Sequence, residues 1–278
     1  MGKRNFFIDN KVVIKPRREK GEPLVGTNAL MVAIPSDLAF MVDLSHAERA
    51  ALGSFSPFKL FIAGKDKVPF ALAGPILGAP QGVIVMEKLI ALGAKRIWVL
   101  GWCGSLQPYL LIGDLIIPTT SLSEEGTSHH YPVNRKRRRT SPLLNKRLED
   151  ALLKANLPFR KGPVWTTDAI YRETEKKVVA YGKRGLLAVE MEMSALINLA
   201  LYRSVELAGL LIVSDELFSL EWHNGIGDER FKKRSREACR LLLELCMDGT
   251  LEDINEGRQK DKGGKTGGLD PLPEGILI

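Results

Sequence analysis

The stretch Val189–Glu216, "VEMEMSALINLALYRSVELAGLLIVSDE", decides how this chain folds. It leaves one apolar run, "LLAVE" (186–190), and ends in another, "AGLLIVSD" (208–215). Between them lies a segment that starts acidic and continues mostly apolar, which predicts a helix between two strands. Both runs are apolar on consecutive residues, as in strands covered on both faces. Similar runs recur upstream: "ALMVAI" (29–34), "KLFIA" (59–63), "PFALAG" (69–74), "RIWVLG" (96–101) and "DLIIP" (114–118). Between the third and fourth of these, Val83, Met86, Leu89 and Ile90 fall at helical spacing, and Gly93 is placed to end that helix. A last amphipathic helix begins at Asp228 and is expected to stop near Gly249. This alternation predicts an α/β protein: a single-domain α/β/α sandwich around a central twisted, mostly parallel mixed sheet, with right-handed connections.

Composition narrows the function classes. The 278 residues are 45% hydrophobic and 26% charged, ordinary for a water-exposed globular domain. No apolar run approaches membrane-spanning length, and the basic N-terminus lacks the apolar core of a signal peptide. Cys103, Cys239 and Cys246 are too few and too scattered for a disulfide framework or a zinc site, so a reducing cytoplasm is the simplest setting. The net charge of +7 owes much to "KPRREK" (15–20) and "RKRRR" (135–139). Without interleaved aromatics these runs read as solvated loops, which argues against nucleic acid as a partner. Residues 1–25 form a basic extension, 26–250 the expected domain, and 251–278 a polar, Gly-rich tail with little to bury.

Ligands of open α/β sheets sit beyond the carboxyl ends of the strands. Those ends carry "WCGSLQ", "TTSLSEEGTSHHY", "TTDAIYRET", "MEMSA" and "SDE", rich in acidic, hydroxyl, imidazole and aromatic groups. The stretch "VLGWCGSL" (99–106) reads as a glycine-punctuated turn whose backbone N–H groups suit an anion. It is no G-x-G-x-x-G fingerprint, and no metal-ligand spacing occurs, so neither a nucleotide cofactor nor a metal is implied.

Taken together, "VEMEMSAL", "IVSDE" and "GSLQPYLLIGDLIIPT" resemble the nucleoside phosphorylase and nucleosidase superfamily over roughly residues 29–247. The resemblance implies cleavage of an N-ribosidic bond of a nucleoside, releasing the free base: a pentosyltransferase reaction with inorganic phosphate as co-substrate, or hydrolysis by water. A nucleoside-binding protein without catalysis is the alternative of another class. It further implies that Glu192 accepts the sugar hydroxyls, that Met191 packs on the ribose, and that Glu190 lies nearer the base. An acidic pair capping a helix is the bland alternative for the two glutamates. Asp215 after Ser214 implies a general acid at a purine-type base, and Glu216 beside it is expected to raise its proton affinity.

The implied nucleophile half departs from the family. The position of its early phosphate arginine, in "IPSDLAF", is Phe40; the central arginine is Val99, and the turn hydroxyl is Trp102. Asp37 lies close by, but not where nucleosidases carry their base. Trp102, Cys103 and Gly104 therefore line the pocket with altered chemistry, Trp102 and Tyr171 as stacking surfaces. His129, His130 and Arg172 are candidates for the ribose or base side. The resemblance also implies a homodimer or a hexamer built as a trimer of dimers, with Arg49 reaching a neighbouring subunit's site.

Overall fold

The computed structural model describes residues 12–53, 57–64 and 68–248; the 251–278 tail, Gly249 and residues 1–11 lie outside them. The strands are β1 (Asn28–Val32), β2 (Glu48–Arg49), β3 (Lys59–Ala63), β4 (Phe70–Gly74), β5 (Arg96–Ser105), β6 (Leu115–Glu124), β7 (Phe159–Thr167), β8 (Ala188–Glu190), β9 (Glu206–Glu216) and β10 (His223–Asn224). The helices are α1 (Pro35–Leu44), α2 (Ala79–Ala91), α3 (Pro142–Lys154), α4 (Glu175–Lys183), α5 (Met193–Arg203) and α6 (Glu229–Met247).

The strands form one mixed sheet in the order β10-β9-β6-β7-β8-β5-β1-β4-β3-β2. Its centre is parallel: β4, β1, β5 and β9 run together, and every residue of β1 and β4 is buried, as the continuous apolar runs require. β9 also pairs with β5, so β5, β9, β6, β7 and β8 close into a five-strand ring attached to the open half of the sheet. Helices α2 and α5 pack together on one side, and α6 lies against α1 and α3 on the other, giving the expected three layers. Gly93 adopts φ +115 just beyond α2, a conformation open to glycine, and ends that helix as expected. In α6, Phe231, Ser235, Ala238, Cys239, Leu242, Leu245 and Cys246 face inward, with basic residues opposite.

Several expectations are corrected. The turn expected at "WCGSLQ" is strand: β5 continues to Ser105 because β9 pairs with it on one side and β8 on the other, satisfying its backbone groups in two ladders. "TTSLSE" likewise extends β6, paired with β7 as far as Glu124. "IPSDLAF" opens α1, with Pro35 in the first helical turn where its missing N–H costs nothing. Helices α3 and α4 were not anticipated. Within the N-terminal extension, Glu22 is buried: its carboxylate accepts hydrogen bonds from the backbone of Glu19 and Gly53 and pairs with Lys88 at 2.6 Å. The Glu22–Lys88 ion pair, with Lys88 also donating to Arg17 O at 3.0 Å, thus ties a charged segment to α2.

Candidate active site

Gly104 is the hinge of the site. Its backbone pairs with Val189 of β8 and with Asp215 of β9, so the ends of "AVEME" and "VSDE" meet on either side of β5. A methyl group on Gly104 would stand 2.3 Å from the Leu217 side chain and 3.0 Å from the Asp215 carboxylate. The glycine is therefore a requirement of close approach.

The two glutamates of the opening stretch divide their work. Glu190 is buried and turned into the protein: Oε2 accepts hydrogen bonds from the backbone N–H groups of Glu192 and Met193 at 2.7 Å, capping α5, and Thr166 donates to Oε1. This is the capping role for Glu190. Behind it, buried Glu125 accepts from Ser123, Ser128 and Ser194, and these donors hold its carboxyl below its ordinary range. Glu192 instead points across the sheet, where Oε1 accepts from Gly78 N–H at 2.6 Å at the start of α2. Burial pushes both carboxyls upward, and the Glu190 charge is a further push on Glu192. Glu190 has three donors within the fold, whereas Glu192 accepts from Gly78 N–H across the sheet.

At the end of β9, Asp215 receives one donor on each oxygen: Ser214 Oγ at 2.7 Å and the Trp222 indole N–H at 3.0 Å. Glu173, in the loop before α4, faces it; burial and the Asp215 charge raise that carboxyl to about 7. Glu216, expected to act on Asp215, is engaged elsewhere, accepting from Ile112 N–H at 2.9 Å. Cys103 is buried between Asp215 and Glu190, and burial with those charges pushes its thiol well up.

Trp102 is neither free nor stacked in the open. Its indole N–H donates to Asp37 Oδ2 at 2.9 Å, its ring meets Phe231 edge-on at 4.8 Å, and Ser235 donates to the other Asp37 oxygen at 2.6 Å. Asp37 is buried, and burial raises its carboxyl against these two donors. Beside this cluster, the Phe40 ring carries the guanidinium groups of Arg236 and Arg240 at 6.0 and 5.3 Å.

The structure thus brings together Trp102, Cys103, Gly104, Glu190, Met191, Glu192, Ser214 and Asp215 around the ends of β5, β8 and β9. Others stay outside. Tyr171 is 96% exposed, Arg172, His129 and His130 are exposed, and His129 Nδ1 lies 3.4 Å from Gly126 O. Arg49 sits on the exposed edge strand β2. Two residues were missed, Glu173 and Trp222. Glu173 adjoins Arg172 in a loop already singled out, and Trp222 stands seven residues after Asp215, within one short hairpin. Among the described residues no group of three or more His, Cys, Asp or Glu side chains is arranged to hold a metal ion. No helix among them is long and apolar enough to cross a membrane.

A model of the phosphorylase superfamily matches residues 27–247. DeoD-type purine nucleoside phosphorylases of Bacillus thuringiensis (strain Al Hakam) and Bacillus cereus (strain B4264) are each 29% identical over 184 residues, spanning 66% of this chain and 75% of theirs. Among solved structures, uridine phosphorylase from Vibrio fischeri ES114 superposes with a TM-score of 0.71 at 23% identity, covering 79% of this chain and 91% of its own. Purine nucleoside phosphorylase from Toxoplasma gondii, solved in complex with immucillin-H, gives 0.72 at 22% identity, covering 85% and 93%.

Proposed function

The chain belongs to the phosphorylase superfamily, and from that premise we propose that it cleaves the N-ribosidic bond of a purine-type nucleoside by phosphorolysis. The observation that carries this reading is that Gly104 pairs with Val189 on one side and Asp215 on the other, which brings the segment leading into Glu192 and the end of β9 to one place. Such cleavage needs a group that holds an electron-poor ribose and a group that meets the base as it leaves. Glu192, ionised, accepts from the sugar hydroxyls and favours positive charge on the ring. Asp215, protonated, donates to a ring nitrogen of the base and draws off the electrons of the breaking bond. The base departs neutral, and the nucleophile completes the sugar product. Relatives named for purine nucleosides support the purine choice and phosphate as co-substrate. The guanidinium groups of Arg236 and Arg240 over Phe40 supply positive charge near the place where the resemblance puts the phosphate.

Water as nucleophile is a second reading, favoured by one observation. The Trp102 indole and the buried Asp37 carboxyl occupy each other's hydrogen-bonding groups at the end of β5, leaving that face without a cation among the described side chains it bonds to. Release of free base from inosine, adenosine and uridine, with and without inorganic phosphate, separates the readings. Phosphate-dependent release from the purines with formation of ribose 1-phosphate is expected. Equal rates without phosphate would establish water as the nucleophile, and preference for uridine would overturn the purine assignment. Tight binding without release of any base would leave a nucleoside-binding protein.

A further inference from the structure

Strands β9 and β10 form a hairpin whose base is well secured and whose tip is open. Leu217 N–H donates to Ser105 O at 3.0 Å, Gly225 N–H to Ser214 O at 2.8 Å, and Asn224 lies opposite Asp215 in the ladder. Trp222, next to this ladder, is 67% exposed, an unusual place for the largest apolar side chain. Its single polar atom is aimed at Asp215 Oδ2, at 3.0 Å.

We propose that Trp222 is a positioning residue for Asp215: its indole N–H fixes the plane of that carboxyl and sets how readily it takes and gives a proton. This rests on the reading of Asp215 as the group that meets the departing base. The argument is one of geometry. A carboxyl on a strand end turns about two side-chain bonds, and a lone donor on one oxygen leaves the other free to swing. Ser214 anchors Oδ1 from the same strand, and Trp222 anchors Oδ2 from the residue just before β10, so the group is held at both ends. An indole can donate but not accept, so it favours the ionised carboxyl over the protonated one.

Other titratable groups stand near Asp215. Glu173 faces it from the loop before α4 and the Cys103 thiol lies near it on β5, while Glu216 is held by Ile112 N–H and Glu190 by the start of α5. His223 follows Trp222 on β10, and Lys177 of α4 acts on Glu173.

The test is Trp222→Phe, which keeps an aromatic ring and removes the N–H. With ¹³C-labelled aspartate, the titration midpoint of the Asp215 carboxyl is expected to move up by about half a pH unit to one unit. In turnover of inosine or adenosine, kcat at the plateau should fall about tenfold, with KM within twofold and the alkaline limb displaced upward in step with the midpoint. Trp222→Ala should show the same displaced midpoint. An unchanged midpoint and limb in Trp222→Phe, in a protein where Asp215→Asn abolishes turnover, would overturn the proposal and leave the reading of Asp215 standing. Full turnover in Asp215→Asn would remove the acid itself, and the positioning role with it.

Discussion

Two carboxyl–indole pairs stand at the ends of this sheet, and they are built in opposite ways. Asp37 and Trp102 join α1 to β5, with Ser235 of α6 as a third member and Phe231 against the ring; Asp37 is 7% exposed. Asp215 and Trp222 join neighbouring strands of one hairpin, and the indole is 67% exposed. The hydrogen-bond lengths are nearly the same, 2.9 and 3.0 Å. What differs is how many elements share the pair, and hence what its loss exposes. A pair shared by three elements is a stability device, because removing one partner strands a buried carboxyl and opens a void. A pair on a surface hairpin stabilises little and is free to serve chemistry.

The largest effect follows from truncating both indoles. Trp102→Ala removes the ring that Phe231 packs against and leaves Asp37 with Ser235 as its donor. Urea denaturation should show a loss of about 3 kcal/mol. Trp222→Ala, measured alongside, should cost below about 1 kcal/mol, since most of that ring is already in water. Equal losses in the two variants would erase the distinction between the pairs.

The sequence carries the outline of this arrangement unevenly. The apolar runs at 29–34, 69–74 and 208–215 are legible as buried strands because both faces are covered. Their ends are not. "GWCGS" has the glycines of a turn, yet Gly101 and Gly104 are there to admit Leu211 and Leu217 against a continuing strand. "TTSLSE" is polar enough for a loop, and only its ladder with β7 shows it to be strand. "VEMEM" points to a pair of carboxyls at a helix start, but which one caps α5 and which one looks into the site depends on where Gly78 N–H arrives from α2. Neither carboxyl–indole pair is legible at all. Asp37 and Trp102 are 65 residues apart, and Trp222 reaches Asp215 only because the hairpin folds back.

A smaller and more local break comes from Gly104→Ala. The new methyl group would collide with Leu217 and press on the Asp215 carboxylate while leaving Asp37 and Trp102 alone. Turnover is expected to fall about tenfold, roughly 1.4 kcal/mol in the barrier, with KM for the nucleoside changed less than kcat. An unchanged rate would show that the placement of the Asp215 carboxylate does not govern turnover, because Asp37 and Trp102 are untouched by this substitution.

The smallest effect sharpens the comparison through pH. Glu173 acts on Asp215, and its carboxyl is raised from an ordinary 4.5 to about 7, chiefly by burial and then by the Asp215 charge. With the folded value above the unfolded one, the unfolded chain loses this proton first as pH rises. The protonated carboxyl therefore costs nothing below about pH 4.5, and the folded state loses stability progressively between 4.5 and 7. Glu173→Gln removes that loss. Thermal unfolding at pH 8 should show the variant more stable than the parent by about 1 kcal/mol, a figure reduced for the part of Glu173 that water screens. At pH 4 the two should unfold together. A gain of the same size at both pH values would mean that the glutamine simply packs better and that Glu173 carries no proton near neutrality. A gain confined to the higher pH would mark Glu173 as the carboxyl beside the open pair that changes charge near neutrality.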